Sequence, residues 1–157
     1  MKLDRIIAVR NDKTVFRDGE LCVKVFGSGY TASDVLSEAL NQSLVAGLGL
    51  CVPKIREVTQ IDGKWAIVQD FVRGKTLAQL IGEKPENKDA YLRLFVGLQL
   101  QIHARSCPLL HRLNDRLNNN ICLTDFDATT RYDLHTRLES LPNRTELCHG
   151  DFQPENV

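Results

Sequence analysis

The residues His149-Gly150-Asp151-Phe152-Gln153-Pro154-Glu155-Asn156 place an aspartate and an asparagine five positions apart. That pairing suits phosphoryl transfer. A carboxylate must face the acceptor hydroxyl, orient it and take its proton late. A neutral oxygen must hold the metal that offsets the triphosphate charge, and both groups must stand beside one γ-phosphate. An irregular loop can turn Asp151 and Asn156 toward the same crevice, whereas a helix would set them on different faces. His149 reads as a packing and backbone-bonding residue instead of a proton carrier. The competing reading of the segment is a surface turn with a chance Asp-Asn pair, which Gly150 and Pro154 would suit equally well.

The phrase Leu147-Cys148-His149-Gly150-Asp151-Phe152-Gln153-Pro154-Glu155-Asn156-Val157 resembles the catalytic loop of the aminoglycoside phosphotransferase and choline kinase-like superfamily. These relatives of the protein kinases show His-Gly-Asp where protein kinases show His-Arg-Asp. The resemblance extends over the whole chain, because the order of elements read below is also the family's. It implies a protein kinase-like fold, Asp151 as catalytic base and Asn156 as a magnesium ligand. It also implies ATP or GTP as donor and a small-molecule hydroxyl as acceptor. An aminoglycoside, choline, an amino alcohol or a sugar would each be compatible. In the family a strand pair follows the loop, then an aspartate that gives the second magnesium contact. The chain stops at Val157, so the expectation is a truncated kinase with little or no transfer activity alone, and with uncovered apolar surface that favours self-association. A non-catalytic nucleotide-binding module, or a degenerate kinase remnant, is the alternative from another class.

Phosphoryl transfer also needs a cation on the phosphates. Lys24, in Cys22-Val23-Lys24-Val25, sits in the third strand and is close to the Val-Ala-Ile-Lys pattern. An exposed edge lysine is the plainer reading. Glu38, in the helix that follows, is the best candidate to hold that lysine. Asp34, one turn earlier, is the competitor, better suited to capping the helix. The run Ile67-Val68-Gln69-Asp70-Phe71-Val72-Arg73-Gly74-Lys75-Thr76-Leu77 resembles the family's hinge. Backbone groups from Gln69 to Val72 would there meet the adenine edge, while the bland alternative is an interdomain loop. No Gly-x-Gly-x-x-Gly occurs in the first hairpin, so the phosphate-covering turn falls to Arg10 to Lys13. That absence, with the His-Gly-Asp form, weighs against protein-kinase activity.

These residues need a sheet and a helix to position them. Ile6 to Val9, Thr14 to Phe16 and Leu21 to Phe26 read as three antiparallel strands, with Asp18-Gly19 as a two-residue hairpin signal. A helix is predicted from Thr31 or Ser33, with Val35, Leu36, Ala39, Leu40, Ser43 and Leu44 as its apolar stripe, stopped by Gly47. Strands at Lys54 to Gln60 and Lys64 to Asp70 flank an Asp62-Gly63 turn. Trp65 is expected to pack on the sheet. Thr76 caps a short helix through Leu80, and Gly82 to Asn87 reads as a polar loop. Helices are then predicted over Ala90 to Ala104, Leu109 to Leu117 and Asp125 to Leu141, the last capped by Thr124 and ended by Pro142-Asn143. The fold class is therefore α+β: an antiparallel five-stranded N-lobe with one helix over residues 1–72, then a partial helical C-lobe over 73–157. His103 is assigned to packing, and His111 and His135 to surface or interhelical positions. Asp125 and Asp127 suit a helix start, where the dipole favours them.

Composition bounds the rest. Apolar residues make up 43% and charged residues 25% of the 157, the balance of a globular chain. Lys plus Arg and Asp plus Glu each number 20. That neutrality argues against coating a nucleic acid or lying on a membrane surface, yet leaves room for a small anion held by a few cations. No apolar run is long enough to span a bilayer, and the Met1-Lys2-Leu3-Asp4-Arg5 start lacks a secretory signal. Five cysteines without a Cys-x-x-Cys pair read as reduced thiols of a cytoplasmic protein.

Overall fold

β-Branched and aromatic residues in short runs, separated by tight turns, produce five antiparallel strands among the described residues, which are 3–10, 12–142 and 144–157 of this computed structural model. The strands are β1 (Arg5–Arg10), β2 (Lys13–Asp18), β3 (Leu21–Phe26), β4 (Ile55–Ile61) and β5 (Lys64–Asp70). Their order in the sheet is β1-β2-β3-β5-β4. The Met1-Lys2 start, the share of Asn11 in the first turn and that of Asn143 in ending the last helix lie outside the described residues.

The second hairpin differs by one residue from its expected position. Asp18 pairs with Leu21 as the last residue of β2, so the two-residue loop is Gly19-Glu20. Gly19, at φ +60°, takes the first central position, where a type II′ turn needs a positive φ. The Asp62-Gly63 turn stands where it is predicted, between register partners Ile61 and Lys64.

Helix α1 (Ala32–Ala46) follows β3. Thr31 is its N-cap and accepts from the Asp34 backbone, while the Asp34 carboxylate accepts from the Thr31 N–H at 2.8 Å. Asp34 thus completes a capping box instead of serving a lysine. The buried stripe of α1 is narrower than predicted: Val35 and Ala39 are buried, but Leu36 and Leu40 are more than half exposed. Val35 and Ala39 pack with Phe26 and Ile67 on one face of the sheet, and Trp65 joins that cluster as expected. Val23, Ala66 and Val68 form the core of the other face, covered by Phe16, Leu21, Val25 and Ile61. Strand alternation therefore assigns Lys24 to the face that α1 covers, with Cys22 and Phe26.

Further helices are α2 (Leu77–Glu83), α3 (Lys88–His103), α4 (Leu113–Cys122) and α5 (Ala128–Ser140). The loop expected over Gly82 to Asn87 is mostly ordered, since α2 runs to Glu83 and a 3-10 turn spans Pro85–Asn87. Pro85 opens that turn, where its missing N–H costs nothing. The helix expected at Leu109 to Leu117 lies further along, at Leu113–Cys122. Asp127, not Thr124, caps α5, because its carboxylate accepts from the Thr130 N–H at 2.9 Å. Thr124 instead donates to the Ile121 carbonyl at 2.7 Å, closing the end of α4.

Packing divides the chain into two compact units: Met1–Phe95 with Asp151–Val157, and Val96–Gly150. The division at 72/73 in the sequence follows the change from strands to helices. These units follow contacts, which draw the segment 151–157 and the first half of α3 to the sheet-bearing unit. In the second unit, α4 and α5 pack together, and His135 of α5 bonds Asn118 of α4 at 2.7 Å. That places His135 between helices. Backbone bonding of Leu147 N–H to the Arg105 carbonyl, at 2.9 Å, ties the approach to His149 to the end of α3.

Candidate active site

Lys24 and Glu38 meet as an ion pair. The cause is geometric: β3 alternation turns Lys24 toward α1, and Glu38 lies three residues from Val35 and one from Ala39, on the flank of the buried stripe. A partner not foreseen from the sequence joins them. Lys13, the first residue of β2, donates to the other Glu38 oxygen at 3.0 Å. Its register partner is Phe26, so it shares the α1-covered face with Lys24. Pairing register could have revealed Lys13, but only once the turn before β2 was placed. Burial pushes the Glu38 carboxyl up, yet the hydrogen bonds from Lys24 and Lys13 outweigh it and hold the group below its ordinary value. Lys13 is held above its ordinary value; burial opposes this, and the Glu38 bond and charge overcome it.

The end of β5 is built from side-chain bonds as well as backbone. Gln69 accepts from Gln42 of α1 at 2.8 Å and faces the Cys22 sulfur at 3.9 Å. Burial raises the Cys22 thiol. Asp70 binds Arg56 through both oxygens, at 2.6 and 3.1 Å. The Asp70 N–H bonds the Lys54 carbonyl at 3.0 Å, and the Phe71 N–H bonds that of Glu20 at 2.8 Å. Arg17 lies 4.0 Å over the Phe71 ring, and Val72 is exposed. Two of the backbone donors in this connector are thus already engaged.

Asp151 and Asn156 are in direct contact. The Asn156 amide nitrogen donates to the Asp151 carboxylate at 2.8 Å and to its carbonyl at 3.0 Å. Three local features hold the loop. Gly150 has φ +83°, a left-handed conformation that an arginine in its place would adopt only with strain. The N–H groups of Leu77 and Ala78, unsatisfied within the first turn of α2, bond the backbone oxygens of Val157 and Pro154 at 2.7 and 2.9 Å. Phe152 stacks on Phe95 of α3 at 4.5 Å. Of these three anchors, only Gly150 is visible in the motif alone. His149 is exposed.

The donor set can be compared with what magnesium requires. With its nitrogen turned to Asp151, Asn156 presents Oδ1 outward, and that oxygen already faces a cation, the Arg10 guanidinium at 3.5 Å. Among the described residues no group of three or more His, Cys, Asp or Glu side chains converges on a metal position. Magnesium bound with phosphates takes only one or two protein oxygens, so a site built on Asn156 fits the ion while an all-protein cage does not. The concavity lined by Asp4, Arg5, Arg17, Asp18, Gly19 and Glu20 shares no residue with either cluster.

No curated protein matches the chain. The model of the phosphotransferase enzyme family matches residues 8–157, a span holding Lys24, Glu38, Asp151 and Asn156. With that span covering nearly the whole sequence, in line with the resemblance to aminoglycoside phosphotransferases and choline kinases, the chain belongs to the phosphotransferase enzyme family.

Proposed function

We propose that this chain binds a nucleoside triphosphate, ATP or GTP, together with magnesium, and moves its γ-phosphate to the hydroxyl of a small molecule. The observation that supports this most is the Lys24–Glu38 ion pair in a chain that also joins Asp151 to Asn156. A lysine held by a helix carboxylate is oriented for the nucleotide phosphates. Residues 1–72 then act as the nucleotide-binding lobe and 73–157 as part of the helical one.

Each side chain has a role in that reading. Lys24 binds the phosphates, and Glu38 orients it. The connector from Gln69 to Val72 meets the base; since the Asp70 and Phe71 N–H groups are engaged, an adenine edge would meet the Val72 N–H or a carbonyl. Asn156 would hold magnesium through Oδ1, and the ion would offset charge on the phosphates. Asp151 orients the acceptor hydroxyl and accepts its proton as the oxygen bonds to the γ-phosphorus. The bond from that phosphorus to the bridging oxygen breaks, and the nucleoside diphosphate leaves with the electron pair. The cytoplasm is the setting we propose for this reaction.

The test is Asp151→Asn. Magnesium-dependent phosphate transfer from ATP should fall by about a thousandfold or more, because the charge facing the hydroxyl is lost. Binding of magnesium-ATP, followed by calorimetry, should stay within a few-fold of the unaltered chain. Equal turnover in the two proteins would remove Asp151 from the mechanism. Saturable ATP binding without turnover in the unaltered chain would favour a nucleotide-binding module.

A further inference from the structure

Asn118 and Cys122 lie four residues apart on α4, so they share one face of the helix, a turn apart. α5 packs against α4 and presents His135 to that face. The ring meets both side chains: Nδ1 stands 2.7 Å from Asn118 Oδ1, and Nε2 stands 3.7 Å from the Cys122 sulfur. We propose that Cys122 is a modification site, a thiol that exchanges with low-molecular-weight disulfides, with His135 as its base and Asn118 as the residue that positions the base. All three residues belong to the unit Val96–Gly150, and none takes part in the phosphoryl transfer described above.

The hydrogen bonds set the direction in which the proton moves. An amide oxygen only accepts, so the Asn118 contact places a proton on Nδ1 and leaves the Nε2 lone pair facing the thiol. Cys122 is exposed, and a solute can reach it, whereas Cys22 is buried. The end of α4 is held in place: the Leu123 N–H bonds the Asn119 carbonyl at 3.2 Å, and the Thr124 hydroxyl donates to that of Ile121 at 2.7 Å. As the last residue of α4, Cys122 stands where the helix carries partial negative charge, which disfavours a thiolate by itself. The same field favours the imidazolium formed when His135 takes the proton, so transfer within the pair escapes that penalty. In the exchange, the Cys122 proton passes to Nε2 and the sulfur attacks one sulfur of the disulfide. A new S–S bond forms, the old one breaks, and the departing thiolate takes the proton from the imidazolium. Cys122 is thereby oxidised to a mixed disulfide, and half of the disulfide is reduced to a free thiol.

Incubation of the full chain with glutathione disulfide at neutral pH, with the mixed disulfide at each cysteine followed over time by peptide mass spectrometry, tests this assignment. Cys51 is exposed as well and serves as the internal reference. Cys122 should react about tenfold faster than Cys51. H135Q keeps a polar side chain but no base, and it should bring the two rates within about twofold while leaving Cys51 unchanged. N118D keeps an acceptor for the Nδ1 proton and should retain most of the advantage, whereas N118L should lose most of it. Urea gives the comparison without any substitution: unfolding the unaltered chain should remove the advantage of Cys122. A Cys122 no faster than Cys51 in the folded chain, or an advantage that survives H135Q or unfolding, overturns the proposal. Equal loss in N118D and N118L overturns the positioning role of Asn118.

Discussion

Glu38 is the residue on which the sheet-side cluster depends. It receives hydrogen bonds from Lys24 and Lys13, and it is only about one-third exposed. Its carboxyl is held below the ordinary 4.5, so it contributes stability that is present above that value and lost as pH falls through the lower, folded value. Lys13 is held above 10.5, so its contribution is present below that value and lost as pH rises through the higher, folded one. The cluster is therefore at full strength across neutral pH. Replacing Glu38 with Gln should cost about 1 kcal/mol there, since partial exposure screens the pairs. Urea unfolding at pH 7 and near pH 3 checks this: the gap between the two proteins should narrow in acid. A gap that stays constant would show that the ionised carboxylate is not its source.

At the scale of elements, the short helix α2 positions the segment 154–157. Its Thr76 cap accepts from the Gln79 N–H at 3.3 Å, and Gln79 accepts from the Thr76 N–H at 3.0 Å. The capped end then offers two N–H groups to residues 154 and 157. Thr76→Ala should lower stability by about 1 kcal/mol and loosen the loop it holds. Hydrogen exchange would show this as faster exchange at the Asn156 amide, which bonds the Gln153 carbonyl at 2.9 Å. Unaltered exchange there would mean that Phe152 on Phe95 suffices to hold the segment. The two capping boxes have the same local form. Thr76 followed by Gln79 is a local pattern, and Thr31 with Asp34 is another. Cap choice for α5 was not readable in the same way, because Thr124, Asp125 and Asp127 all suit an N-cap and only the chain path selects Asp127.

For the whole molecule, the distribution of buried side chains sets which parts open first. Among the described residues, nine buried apolar ones belong to the sheet-bearing unit, but only Leu138 and Leu147 belong to Val96–Gly150. Leu109 and Leu123, in that second unit, are 76% and 85% exposed. Amides of α4 and α5 should therefore exchange at least about tenfold faster than those of β3 and β5, measured by hydrogen exchange with mass spectrometry. Equal protection in both would show that buried apolar surface does not govern local opening here.

Local signals in the sequence determined the elements and the lineage. Asp62-Gly63, the β-branched runs and the Thr31 and Thr76 caps act within a few residues, so the strands, α1 and α2 were legible without coordinates. The Asp151 to Asn156 motif and Lys24 were legible for the same reason. Tertiary structure decided what depends on residues far apart in the chain. It brought Lys13 to Glu38 across 25 positions, through a strand register that no single strand specifies. It set Leu36 and Leu40 outside the core, because the sheet covers only the Val35–Ala39 side of α1. It also docked residues 154 and 157 on α2, a bond between backbone groups whose side chains leave no trace of it in the sequence.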